Sequence, residues 1–303
     1  MIAAVIDLGT NTFHLIIADV QKGNVKVIYK TNEPVRLGEG RINENIIIPA
    51  AFERGLNTLG SFSKVMADYN VELVKATATS AVRSAENGAD FVTRVKTDTG
   101  IEIQVITGVE EAGYIFKGVQ ATGVVKETSL IMDIGGGSTE FIICTPDKVL
   151  WKQSYNIGAA RLMQAYFKSD PLNTADQQLI FSKIETELLE LKEACAAHKP
   201  TELIGSAGAF ESFAVLINKV VELDDIASLE LDLDSYLNLS ERLIMSSHEE
   251  RKAMKELLPL RVDMVVMAAL LTNYVIREVG ITSLFLSTYD LKMGILYDLA
   301  SKT

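Results

Sequence analysis

Two short segments of this chain end an apolar run with a carboxylate and follow it with glycine and small polar residues. They are Asp7-Leu8-Gly9-Thr10-Asn11-Thr12 and Asp133-Ile134-Gly135-Gly136-Gly137-Ser138. Each is followed by a second apolar run, Phe13 to Ala18 and Phe141 to Cys144. β-Branched apolar runs interrupted by glycine and then resumed predict a β-hairpin with a tight loop. Glycine lets backbone approach a ligand closely. Backbone N–H groups, with the hydroxyls of Thr10, Thr12 and Ser138, can surround an anion as a nest. The carboxylates Asp7 and Asp133 can hold a divalent cation, usually through water. Asp-x-Gly alone marks many ordinary turns, but its in-register duplication points to a phosphate clamp built from two homologous lobes.

A third candidate is Thr107-Gly108-Val109-Glu110-Glu111. Thr-x-x-Glu is a capping box, so Glu110 is expected to reach back to the Thr107 amide. Glu111 is left over in the first helical turn, beside the positive helix end. Acidic residues favour first turns for that reason alone; facing a phosphate site, the same carboxylate could orient or deprotonate an attacking water. Gly205-Ser206-Ala207-Gly208-Ala209-Phe210-Glu211 ends a strand and begins a helix. Gly205 and Gly208 there could serve a tight turn or an anion site at the helix start. Arg83, after the strand end at Thr77, is an ordinary solvated arginine by itself and a cleft cation if the context holds.

The elements needed to position these residues come in two series. The first is a hairpin (2–20), a strand (25–30), the loop Arg36-Leu37-Gly38-Glu39-Gly40, a helix (50–69), a strand (72–77), short helices after Thr79 and at 89–99, a strand (102–106) and a helix (108–121). The second has a hairpin (129–144), a strand (149–155), a helix from Ala159, and a long helix (175–197) capped by Thr174. A strand (202–205), helices at 209–220, 233–245, 248–257 and 261–278, a strand (283–287) and a last helix from Leu291 complete it. Hairpins followed by alternating helices and strands, twice over, predict two α/β lobes, 1–122 and 123–303, with the last helix able to pack back on the first. Leu179, Ile184, Leu188 and Leu191 of the long helix read as core or as a subunit contact in a homodimer.

Composition excludes several classes. The 303 residues carry a net charge of −11, and no Lys/Arg-rich run offers nucleic acid a basic face. The longest apolar stretch, 264–271, is too short to span a bilayer, so no membrane partner is expected. Two cysteines, Cys144 and Cys195, suit a reducing compartment. A first strand beginning at Ile2 leaves no room for a signal peptide, so a cytoplasmic location is expected. There is no P-loop, no Gly-x-Gly-x-x-Gly after a strand and no Gly-x-Ser-x-Gly elbow. His14, His198 and His248 lack the spacing of a zinc site.

Asp-Leu-Gly-Thr-Asn-Thr-Phe, Arg-Leu-Gly-Glu-Gly, Thr-Ser-Ala-Val-Arg, Thr-Gly-Val-Glu-Glu-Ala and Asp-Ile-Gly-Gly-Gly-Ser-Thr-Glu occur in this order along essentially the whole chain. In this the chain resembles the exopolyphosphatase/guanosine pentaphosphate phosphohydrolase family. The resemblance implies the actin-like ATPase-domain fold, two ribonuclease-H-like lobes with an interlobe cleft. It implies release of terminal orthophosphate from polyphosphate or from the 5′ end of guanosine pentaphosphate, with Mg²⁺ or another divalent cation. It assigns Glu111 as catalytic base, Arg83 as the cleft arginine, Asp7 and Asp133 as metal carboxylates and Glu140 as a carboxylate of the second loop. Gly9, Thr10, Asn11, Gly135, Gly136, Gly137 and Ser138 would bind phosphate; the segment with Gly205 and Gly208 matches the nucleotide-side loop loosely. Longer members carry a C-terminal helical domain where this chain ends, so it resembles the short, two-lobed form. Asp290-Leu291-Lys292-Met293-Gly294 stands where many members have Gly-Leu-Arg-Glu-Gly. The alternatives are a guanosine penta- or tetraphosphate sensor with little turnover, and a sugar or acetate kinase of the same superfamily. The kinase would need an acceptor pocket and a competent adenosine loop.

Overall fold

The computed structural model describes residues 1–206, 208–219, 223 and 226–302. The chain divides into two compact units, residues 1–121 with 291–303, and residues 122–290.

In the first unit, β1 (Ile2–Leu8), β2 (Phe13–Gln21) and β3 (Asn24–Glu33) form an antiparallel meander. After α1 (Pro49–Asp68), β4 (Leu73–Ala78) runs parallel to β1. Short α2 (Ser80–Ser84) and α3 (Gly88–Thr99) lead to β5 (Ile103–Val105), parallel to β4, and then to α4 (Gly108–Ala121). The strand order is β3-β2-β1-β4-β5. The period-2 pattern of β1 sends Ala4, Ile6 and Leu8 to one face, where they meet Leu15 and Ile17 of β2 and the buried stripe of α1, Leu56, Leu59 and Phe62.

The second unit repeats this plan. β6 (Ser129–Ile134), β7 (Thr139–Cys144) and β8 (Val149–Tyr155) form the meander. Then come α5 (Ala159–Tyr166), α6 (Thr174–Glu187), α7 (Leu189–His198) and β9 (Glu202–Ser206), which is parallel to β6. They are followed by α8 (Gly208–Asn218), β10 (Ser228–Leu231), α9 (Leu233–Met245), α10 (His248–Lys252), α11 (Met264–Val279) and β11 (Ser283–Ser287). The order β8-β7-β6-β9-β11 matches that of the first sheet, with β10 added antiparallel beyond β11. Helix α11 is buried along most of its length and forms the centre of this unit's core.

The last helix, α12 (Leu291–Ala300), belongs to the first unit and packs on α4. A Cβ at Gly294 would stand 1.8 Å from the Tyr114 carbonyl oxygen, so only glycine allows this approach. Met293, in the Lys292-Met293 pair that departs from the family pattern, is buried.

Several sequence expectations are corrected. The helix drawn over 175–197 is two helices, broken at the buried Leu188. Its cap is Asn173, whose side chain accepts the Asp176 amide at 2.9 Å, rather than Thr174. Ile184, Leu188 and Leu191 are core, whereas Leu179 is exposed. The helix drawn over 248–257 ends at Lys252, and the one from Arg261 is a 3-10 turn (Pro259–Arg261) followed by α11. Strand β10 was not anticipated. Ala207 and Val220, within the glycine segment and the helix after it, lie outside the described residues. Among the described residues, no helix is long and apolar enough to cross a membrane.

Candidate functional site

The two repeated loops connect β1 to β2 and β6 to β7, and the positions around them correspond. Asp7 lies opposite His14 and Thr77; Asp133 lies opposite Glu140 and Ser206. A Cβ on Gly9 would meet the Thr12 carbonyl oxygen at 2.8 Å, and one on Gly135 the Ser138 carbonyl oxygen at 3.0 Å. The first glycine is therefore demanded by the same close approach in both loops.

In the second unit three successive loop carbonyls are taken from one side. Gly135 O accepts the Ala159 amide at 2.9 Å. Gly136 O accepts those of Ala160 at 2.9 Å and Arg161 at 3.1 Å. Gly137 O accepts Arg161 Nε at 3.1 Å. A planar trans peptide sets the N–H of each residue antiparallel to the preceding carbonyl. With three successive carbonyls facing the start of α5, the amides of Gly136, Gly137 and Ser138 are turned the other way. Successive N–H groups turned to one side can make an anion cradle. Helix α5 comes this close because of Gly158, where a Cβ would lie 2.4 Å from the carbonyl carbon of Gly136.

Beneath this loop the carboxylate of Glu140, only 1% exposed, accepts Ser138 Oγ at 2.7 Å and Ser154 Oγ at 2.6 Å on the same oxygen. The Ser138 hydroxyl proton is thus directed at Glu140. This corrects the expectation of an anion-binding hydroxyl: what Ser138 can offer is its backbone amide. Asp133 Oδ2 accepts Ser206 Oγ at 2.8 Å.

In the first unit the backing comes from the Arg36–Gly40 loop. Asn11 O accepts the Arg36 amide at 2.7 Å and Thr10 O accepts the Gly38 amide at 3.0 Å, which turns the amides of Asn11 and Thr12 outward by the same argument. Gly38 is pressed against Thr10, 2.6 Å from a would-be Cβ to Thr10 Cγ2. Arg36 takes a left-handed backbone, φ 50°, to place its amide. Arg54 holds this loop through Val35 O at 2.8 Å and through the Glu39 carboxylate.

Glu111 and Arg83, apart in sequence, are brought together. Arg83 Nη1 donates to Glu111 Oε2 at 2.9 Å and to Ile106 O at 3.0 Å. Glu111 is 8% exposed, in the first turn of α4. The capping box is present: Glu110 Oε2 accepts the Thr107 amide and hydroxyl, each at 2.8 Å, while the Glu110 amide donates to Thr107 Oγ1 at 3.2 Å. Glu110 is occupied with helix initiation, and Glu111 faces inward against an arginine.

The segment with Gly205 and Gly208 is close-packed. A Cβ at Gly205 would fall 1.9 Å from the Phe210 ring, so that glycine serves the packing of α8 on β9. Gly208 has φ 48°, and its carbonyl accepts Arg261 Nη1, which also donates to Ser212 Oγ at 2.9 Å.

Sequence reasoning missed Arg161, Ser154, Ser206, Arg54 and Arg261. Ser154 could have been found by register, because it lies directly opposite Glu140 across the β7–β8 pair. The arginines carried no such signal. Arg161 is half-buried, and burial pulls its guanidinium below the usual range.

Among the described residues no group of three or more His, Cys, Asp or Glu side chains is arranged to hold a metal ion. Asp7 and Asp133 offer carboxylate oxygen, the hard donor that Mg²⁺ takes. Mg²⁺ commonly uses only one or two carboxylates and completes its shell with water and substrate phosphates. Asp7 in the first unit and Asp133 in the second, each taken within its own unit, fit that mode and would not make an all-protein cage.

A model of the Ppx/GppA phosphatase family matches residues 16–303. The chain is 30% identical, over 96% of its length, to the bifunctional 3-dehydroquinate synthase/phosphatase of Fusobacterium nucleatum, covering 45% of that protein. It is also 30% identical, over 75% of its length, to the guanosine-5′-triphosphate,3′-diphosphate pyrophosphatase of Pseudoalteromonas translucida, covering 46% of it. The chain thus spans about half the length of these curated relatives. The crystal structure of an exopolyphosphatase from Cytophaga hutchinsonii superposes with a TM-score of 0.96 at 36% identity, over 100% of this chain and 99% of that one. The expected fold class, an α/β protein of two ribonuclease-H-like lobes, is the one found.

Proposed function

The chain belongs to the Ppx/GppA phosphatase family, and from that premise we propose that it is a phosphoanhydride hydrolase. It releases terminal orthophosphate from inorganic polyphosphate or from the 5′ end of guanosine pentaphosphate. The observation that carries this reading is the row of outward-turned amides at Gly136, Gly137 and Ser138, fixed by three carbonyls bonded on the opposite side. Such a cradle takes phosphate oxygens without any net positive charge, which suits a chain of net charge −11. The amides of Asn11 and Thr12 offer a second cradle of the same kind.

Phosphoryl transfer needs positioning and charge neutralisation more than covalent help. Glu111 would align the attacking water and accept its proton at the carboxylate. Arg83 fixes the orientation of that carboxylate with Nη1 alone, which leaves Nε and Nη2 for a phosphate oxygen. Asp7 and Asp133 would hold Mg²⁺ or another divalent cation, which neutralises phosphate charge when bound. Glu140 is buried beneath the second loop, which it supports by holding Ser138 and Ser154 in place.

The test is phosphate release from long-chain polyphosphate and from guanosine pentaphosphate under identical Mg²⁺ conditions. Turnover of at least one, lost on chelation and restored by Mg²⁺, is expected. Tight binding of either compound with no release of orthophosphate would replace the hydrolase with a sensor.

A further inference from the structure

We propose that Arg161 is a positioning residue of the second phosphate loop, acting through the Gly137 carbonyl to keep the Ser138 amide aimed at the anion. The inference rests on the phosphate reading of that loop. The Gly137–Ser138 peptide is the last of the three whose carbonyls face α5, and its restraint differs from the others. The Gly135 and Gly136 carbonyls are held by backbone amides of α5, which any sequence would supply. The Gly137 carbonyl is held by a side chain, Arg161 Nε at 3.1 Å.

Turning this peptide over rotates ψ of Gly137, where no Cβ resists it, and φ of Ser138, so the turn is opposed by the serine backbone and by whatever holds the Gly137 carbonyl. Turned over, this one would present a carbonyl oxygen where the cradle needs an N–H. A donor fixed behind the carbonyl opposes that turn, and a charged donor opposes it more strongly than a neutral one. Arg161 is well placed for this. Its backbone amide is bonded to Gly136 O, so the residue is anchored to the loop at both ends. Half-burial on the first turn of α5 limits how far the side chain can swing.

The donor can be separated from the charge by substitution. The Nε of arginine and the amide nitrogen of glutamine are both attached to Cδ, so Arg161→Gln keeps an N–H donor at the same place and removes the charge. Arg161→Met keeps the bulk and removes the donor. Arg161→Lys keeps the charge and moves the donor one carbon further out. The probe is inorganic tripolyphosphate, titrated into the ¹⁵N-labelled full chain while the Gly136, Gly137 and Ser138 amides are followed by NMR, with steady-state phosphate release measured alongside.

In the wild type the three amide signals should move on binding. Arg161→Gln should stay within about threefold of wild-type affinity, and Arg161→Met should lose about 10- to 100-fold, as for removal of one hydrogen bond from a charged donor. The loss should appear in KM with kcat little changed, because the cradle holds ground state and transition state alike. Wild-type amides that ignore tripolyphosphate would overturn the phosphate reading, and this proposal with it. Wild-type amides that respond, with an equal response in Arg161→Met, would overturn the positioning role alone. So would a Lys variant that matches wild type while Gln fails, since Arg161 would then act only as a positive charge.

Discussion

Replacing Glu111 by glutamine should slow turnover by about 10²- to 10⁴-fold, the usual contribution of a positioned general base. That span corresponds to roughly 3–5 kcal/mol of barrier. The cost to folding is far smaller. Glutamine keeps a carbonyl oxygen within reach of Arg83 Nη1, now 2.9 Å from Glu111 Oε2, and Arg83 keeps its bond to Ile106 O. Exchanging a charge-assisted hydrogen bond for a neutral one loses about 1 kcal/mol. A domain stable by about 5–15 kcal/mol stays folded after that loss. A rate defect of the expected size therefore cannot be a folding defect. The control is Glu110→Gln. Glu110 is exposed, and its one oxygen accepts both Thr107 groups, a task the glutamine carbonyl can take over. Both variants and the wild type would be assayed for orthophosphate release at saturating substrate, with urea unfolding run in parallel. Glu110→Gln should stay near wild type. Equal losses in the two variants would show that the start of α4 matters only as structure, and unchanged turnover in Glu111→Gln would remove the base assignment altogether.

Gly158→Ala should lower stability by about 1–3 kcal/mol and weaken tripolyphosphate binding, because the new methyl would stand 2.4–2.5 Å from Gly136 and Gly137 backbone; urea titration and calorimetry read the two effects. Arg251 is fully buried and bonded to Asp170 at 3.0 Å, Asp263 at 2.9 Å and Val262 O at 2.8 Å, so Arg251→Met should cost about 3 kcal/mol or more in urea unfolding. Burial raises the Asp263 carboxyl, but hydrogen bonds from His248 and Arg251 outweigh it and leave it below the ordinary carboxylate range. Its contribution to stability is then complete above that ordinary range and is lost as pH falls through the lowered folded value. Asp263→Asn should accordingly flatten the acid limb of a Tm-against-pH curve. Asp133→Asn should raise the Mg²⁺ concentration needed for half-maximal turnover, and an unchanged midpoint would remove Asp133 from the metal site.

Much of this fold was legible because its central strands are apolar runs and its turns carry glycine. The opening hairpins and the Thr107–Glu110 box follow from local rules alone. What escaped was set at long range. Strand β10, four residues with only Leu229 and Leu231 to turn to the core, exists because β11 offers it an edge. The break at Leu188 has no glycine or proline to announce it; that leucine is fully buried in the unit's core. Arg161 looked like any helical arginine, and only the fold shows that its partner is a carbonyl near the start of the same unit. Ser138 was read as an anion-binding hydroxyl because the sequence does not show that Glu140 lies beneath it.

The internal repeat ends where backbone geometry stops dictating residue type. Gly9 and Gly135 recur because each loop folds its own carbonyl, of Thr12 or Ser138, against that position. Turning amides outward also requires something behind the loop to accept the carbonyls' orientation, and there the two units diverge. One uses amides of an irregular loop, Arg36 and Gly38, pinned by Arg54. The other uses the first turn of α5 and the Arg161 side chain. Any correctly placed N–H serves, so nothing forces the backing segments to share a sequence. Each does carry glycine where it touches the loop: Gly158 lies against the Gly136 backbone, and Gly38 against the Thr10 side-chain methyl. The supporting residues of such a loop are therefore those whose N–H groups hold its carbonyls, whatever their own sequence.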